Sequence, residues 1–225
     1  MNIVIFGATG MVGSGVLLEC LEDPRITSVL VVGRRPVGVT APKLQEVLIE
    51  NFADFGPIQP RLATCDACFF CLGVSSAGTS EERYRKLTYD LTLAAAEAMV
   101  AANPGMTFCY VSGAGTDSTG QGSRMWARVK GQTENALLRL PFKAAYMFRP
   151  GFIMPLKGVR SKTAIYQAVY TVMAPLYPLV RRLAPRFTTT TVNVGRAMIA
   201  VALGGYDRPI IESPDIEQLA RERTQ

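Results

Sequence analysis

The chain has 225 residues, 48% of them hydrophobic, which is the length and composition of one domain with a single buried core. It contains no histidine, which excludes a Ser-His-Asp triad, a Cys-His dyad, a His-ligated metal and a histidine proton shuttle. The net charge of +6 is uneven: residues 1–112 carry 8 basic and 11 acidic groups (−3), and residues 113–225 carry 16 and 7 (+9).

Strand and helix patterns alternate from the start. Residues 2–6 are a short β-branched run that leads into a glycine turn. Residues 11–21 place Val12, Val16, Leu17, Cys20 and Leu21 on one helical face. Residues 28–33 form an uninterrupted apolar strand of the kind buried on both sides of a parallel sheet. Further strands are expected at 44–50 and 67–72. A long helix over 80–103 opens on Ser80 as N-cap, with Glu81 and Glu82 in its first turn, and stops at Asn103-Pro104-Gly105. A strand at 106–111, a helix at 124–140 ended by Pro141, and a strand at 144–148 complete the series. This order predicts an α/β protein: a three-layer αβα Rossmann fold with a doubly wound, mainly parallel sheet.

After Pro150-Gly151 the rhythm changes. Residues 163–180 are 18 consecutive uncharged positions, but Pro175 and Pro178 interrupt them and polar groups are scattered through them. A membrane span needs about 20 predominantly apolar residues. The stretch is therefore read as two short helices meeting at Pro175, part of a small helical C-terminal cap over 152–190 within the single domain 1–225. Basic flanks and tyrosines leave peripheral contact with a lipid surface through 160–186 as a second reading. Residues 191–203 are a further helix closed by Gly204-Gly205, and Ser213-Pro214 starts the last one.

Cys65, Cys68 and Cys71 are spaced C-x2-C-x2-C, yet no fourth cysteine follows nearby and two of them fall on or beside a buried strand. They are expected as buried thiols, and no metal site is expected. Five cysteines, an odd number, and no recognisable secretory signal lead to the expectation of a reducing, cytoplasmic location. The basic surplus of the second half suits a solvated face or an anionic partner. No basic run is interleaved with stacking aromatics, so nucleic acid is not an expected partner.

The strongest motif is Gly7-Ala8-Thr9-Gly10-Met11-Val12-Gly13, a G-x-x-G-x-x-G between the first strand and the first helix. Glycines allow a tight turn and close approach to a pyrophosphate, and the helix start offers free N–H groups. The second strand ends in Gly33-Arg34-Arg35, where an NAD site usually carries an acid for the ribose 2′-hydroxyl. Two arginines suit a 2′-phosphate, so NADP is the expected cofactor. Asp66, just before the fourth strand, reads as a partner for the adenine amino group or as a turn residue.

With Cys71-Leu72-Gly73 after strand four, Val111-Ser112-Gly113 after strand five and Arg149-Pro150-Gly151 after strand six, the chain resembles an extended or atypical short-chain dehydrogenase/reductase. It is similar to the NAD(P)-binding epimerase-like and Tat-interacting-protein-like branch. The likeness covers about residues 1–155. It implies dinucleotide contacts from Leu72, Gly73, Val111, Lys130, Pro150 and Gly151. It also implies a serine that polarises the substrate, which Ser112 matches, and a Tyr-x-x-x-Lys pair for acid/base work, of which Lys130 matches the lysine.

The tyrosine is not there. Trp126 stands four residues before Lys130, on the same helical face. A phenol beside an ammonium can be brought towards neutrality, whereas an indole N–H only donates a hydrogen bond. Three readings follow. One is an NADP-dependent oxidoreductase or epimerase acting on a small carbonyl or hydroxyl compound, with Lys130, Tyr166 or Tyr170 as the acid. Another is an NADP-sensing binding protein, and the third a lipid-associated form of either. Substrate and oligomeric state stay open.

Overall fold

A computed structural model describes residues 1–52, 54–159, 182 and 185–222. The strands are β1 (Asn2–Phe6), β2 (Ser28–Gly33), β3 (Leu44–Leu48), β4 (Ala67–Phe70), β5 (Thr107–Val111), β6 (Ala144–Arg149), β7 (Phe152–Met154), β8 (Thr188–Thr190) and β9 (Ile210–Glu212). The helices are α1 (Met11–Glu22), α2 (Gln59–Leu62), α3 (Glu81–Arg85), α4 (Leu91–Ala102), α5 (Met125–Leu137), α6 (Thr191–Gly204) and α7 (Ser213–Glu222).

Seven strands form one parallel sheet in the order β3-β2-β1-β4-β5-β6-β9. Successive side chains of a strand point to opposite faces, and here both faces are apolar. Ile3, Ile5, Val29, Val31 and Phe69 pack with residues of α1, α6 and α7. Val4, Phe6, Leu30, Val32 and Phe70 pack with residues of α2, α4 and α5 on the other side. On that second face the rings of Phe6, Phe70, Phe108 and Phe142 stack in a row at centroid separations of 5.3, 5.8 and 5.0 Å. The continuous apolar runs in the sequence are thus the signature of strands covered twice, and the architecture is the expected three-layer αβα sandwich.

Strand order reverses between β1 and β4, and in such sheets the crevice at the carboxyl ends of the strands is where ligands bind. The glycine loop leaves β1 and the Leu72-Gly73 segment leaves β4 at that point. Gly7 has φ +78°, and a Cβ there would stand 2.7 Å from the Cys71 carbonyl carbon. A Cβ on Gly13 would stand 2.2 Å from Gly7 O. Gly13→Ala is expected to destabilise the fold by about 1–3 kcal/mol, the usual cost of overpacking. A thermal melt reads this, and a transition within a degree of wild type would contradict it.

Three elements differ from the sequence expectations. The helix expected over 80–103 is continuous but contains a π-helical turn at Lys86–Asp90, joining α3 to α4. With no proline or glycine inside the stretch, the helix survives this local widening. β9 was not foreseen: three residues after Pro209 are too short to show an alternation, and pairing with β6 (Met147↔Ile210, Phe148↔Ile211) makes them a strand. The ends of the expected helical cap are also strands: β7 and β8 pair in parallel (Phe152↔Thr188, Ile153↔Thr189, Met154↔Thr190), as bulky and β-branched runs favour. The 163–180 stretch, with Tyr166 and Tyr170, lies outside the described residues. Among those described, no helix is long and apolar enough to cross a membrane.

Candidate functional site

Three cavities open along the carboxyl edge of the sheet, and Leu72 lines all of them. One, of about 470 Å³, is lined by Gly7, Ala8, Thr9, Arg34, Arg35 and Phe52. A second, of about 490 Å³, takes in Gly10, Met11, Val12, Gly73, Val111, Ser112, Trp126, Lys130, Pro150 and Gly151. The third, of about 540 Å³, is lined by Arg34, Phe52, Leu72, Gly73, Lys86 and Leu91, among others. Residues scattered from position 7 to position 151 therefore share one edge of the sheet, because each follows a parallel strand at the same end.

Two expected site residues are not in these cavities. Gly13 is buried behind the loop, where its missing side chain lets α1 approach Gly7. Asp66 is the other. It precedes β4, so it lies at the amino end of the sheet, where its Oδ2 accepts a hydrogen bond from Asn2 N at 2.7 Å and its carbonyl accepts one from Thr107 N at 3.0 Å. Asp66 therefore bridges the amino ends of neighbouring strands and lines none of the cavities at the carboxyl edge. Phe52, after β3, lines two of the cavities at the carboxyl end. Sequence reasoning missed it because a lone aromatic in a polar loop carries no periodicity.

The glycine loop has the features that bind an anion. Gly10 caps α1 in an extended conformation with no side-chain hydrogen bond, and no acidic residue occupies the first turn. The N–H groups of that turn have no intrahelical acceptor, and the positive end of the helix dipole lies among them.

At the other end of the groove, Trp126 and Lys130 project from one face of α5 into the same cavity. Lys130 Nζ donates to the carbonyl of Ser112. Burial lowers the Lys130 ammonium to about 8, opposed by the negative charge of Glu134. Ser112 Oγ, 5% exposed as a residue, is hydrogen-bonded to Glu134 Oε1 at 2.5 Å and also approaches Phe148 O at 3.1 Å. A hydroxyl has one proton, and the charged carboxylate at the shorter distance takes it. Ser112 therefore lines the site with its proton directed to Glu134 in this arrangement.

Burial pushes the thiols of Cys65 and Cys71 up to about 11 and about 12, so neither is a nucleophile near neutrality. Among the described residues no group of three or more His, Cys, Asp or Glu could hold a metal ion.

No family model matches the chain. It is 26% identical to the protein fmp52-2, mitochondrial, of Aspergillus terreus over 97% of this chain and 96% of that one. It is likewise 26% identical to the protein FMP52, mitochondrial, of Eremothecium gossypii, over 99% and 98%. Among solved structures it superposes on MoeE5 in complex with UDP-glucose and NAD (TM-score 0.66, 16% identity, all of this chain and 82% of that one). It also superposes on a short chain dehydrogenase family protein from Francisella tularensis (TM-score 0.63, 12% identity, 91% of both chains). The core is a Rossmann fold. The mitochondrial names of the relatives overturn the cytoplasmic location expected from the sequence. Reduced thiols report a redox state and do not name an organelle.

Proposed function

We propose that the chain binds NADP(H) along this groove and reduces a small, largely apolar carbonyl compound, with Lys130 as the proton donor. The observation that carries the reading is the order of groups along one sheet edge: two arginines, a glycine loop at an uncapped helix start, then a half-buried lysine beside a tryptophan.

The residues present fit the dinucleotide. Arg34 and Arg35 supply charge-assisted donors for a 2′-phosphate, and the uncapped start of α1 suits a pyrophosphate. Met11, Val12 and Pro150-Gly151 wall the cavity that holds Lys130. When bound, the dinucleotide supplies the hydride of the reaction. The chain's own task is then to bring a carbonyl oxygen to Lys130, whose ammonium gives it a proton and is left as a neutral amine. No carboxylate lines this cavity among the described residues, so a neutral or anionic substrate is favoured over a cationic one.

Trp126 is the single tryptophan and lines the same cavity. Saturating NADPH is expected to quench or shift its emission, and an unchanged spectrum would contradict the placement. Consumption of NADPH with a panel of aldehydes, ketones and quinones tests the activity. A second reading is supported by the committed Ser112 proton and the absent phenol. Both remove donors that the resembled family uses, which suits a binding protein whose contacts depend on the dinucleotide. Tight NADPH binding with no turnover on any of the panel would favour it.

A further inference from the structure

Behind the Lys130 cavity lies an ion pair, Glu134 with Arg149, to which the resemblance drawn from the sequence assigns no role. Glu134, one helical turn beyond Lys130 on α5, is 1% exposed. Besides the bond from Ser112 Oγ, its carboxylate accepts from Arg149 Nε at 3.1 and 3.2 Å and from Arg149 Nη2 at 2.5 Å. Arg149, at the end of β6, also donates to Ser118 Oγ at 2.6 Å and lies 3.6 Å from Glu212 of β9. One guanidinium thus holds the Glu134 carboxylate against β5, β6, β9 and the loop that follows β5.

We propose that Glu134 is a positioning residue of the site: clamped by Arg149, it draws the Ser112 hydroxyl proton away from the cavity and acts as the counter-charge of Lys130. The inference rests on the reading of Lys130 as proton donor. Among the described residues, the groups around Lys130 are few. Glu134 and Trp126 come from its own helix, Ser112 from the end of β5, and Cys71 from the end of β4, its thiol pushed up to about 12 by burial. Arg149 stands behind Glu134 from β6. Glu134 is therefore the anion that holds a proton on the lysine against the loss of solvation, as the opposing causes of the Lys130 shift reflect.

The test is an NMR titration of the Lys130 ε-carbon in the protein without dinucleotide, assigned with Lys130→Met. The wild-type midpoint is expected at about 8. Glu134→Gln is expected to lower it by about one pH unit, the low end of what a close opposite charge contributes, and Glu134→Asp to restore most of that loss. An unchanged midpoint in folded Glu134→Gln would overturn the proposal, because a purely structural carboxylate would cost stability without moving the lysine. Removing one partner of a buried ion pair can prevent folding. In that event Glu134→Gln combined with Arg149→Met removes both charges together; a smaller downward shift is then expected, because loss of the nearby cation opposes it, and an unmoved or raised midpoint would overturn the proposal. Where turnover is found, its alkaline limb should move down with the titration, and a lower kcat with an unmoved limb would also overturn the proposal. Because the titration uses no dinucleotide, a failure to bind NADPH would refute the function proposed above while this measurement still decides the role of Glu134.

Discussion

Lys130→Met is expected to lower kcat for NADPH-dependent carbonyl reduction by about 10²–10⁴-fold, the usual contribution of a positioned general acid. Methionine keeps the length and apolar stem of the side chain and removes only its proton chemistry. Measured at saturating NADPH, the loss is separate from any weakening of cofactor binding. The wild-type pH profile carries the same information. The ammonium donates only while protonated, so with the lysine lowered to about 8 the reduction rate is flat on the acid side and falls tenfold per unit above it. A wild-type rate level to pH 10, or a Lys130→Met enzyme within threefold of wild type, would exclude the lysine as the donor. Trp126 cannot take over, since an indole N–H has no comparable acidity.

Arg34→Asp is expected to reverse the choice of dinucleotide. Losing a charge-assisted hydrogen bond to a phosphate weakens NADPH binding by about ten- to a hundredfold. The new carboxylate adds repulsion, and it suits the ribose 2′-hydroxyl of NADH. Arg34 is exposed and lines two of the three cavities, so the substitution leaves the core untouched. Competing titrations with NADPH and NADH, followed through Trp126 emission, read the ratio directly. A preference for NADPH that survives the change would show that Arg34 does not meet the 2′-phosphate.

Much of this site was legible because its groups sit at strand ends. The strand expected at 28–33 has the observed bounds Ser28–Gly33, and Arg34-Arg35 follow it into the cavity. The long run of β-branched and aromatic residues in β1, β2, β4 and β5 betrays a parallel sheet, since only strands covered on both faces lack polar alternation. Asp66 shows the limit of such reading. Its type suited an adenine contact, but it lies at the start of its strand, and the start and the end of a parallel strand are opposite edges of the sheet. Phe52 and the three-residue β9 stayed hidden for a related reason. Neither has a pattern of its own, and each takes its place from the strand it lies beside.

The amino-acid sequence alone determined the layer architecture, the glycine loop, the arginine pair and the absence of histidine and of a tyrosine four residues before Lys130, because each is a matter of residue type and local spacing. Tertiary structure decided the charge and proton state of the site. The Ser112 hydroxyl is turned to Glu134, that carboxylate is held by Arg149, and Lys130 is lowered by burial. These groups come from β5, α5 and β6, and their effect on one another depends on distance and desolvation, which no one-dimensional spacing encodes.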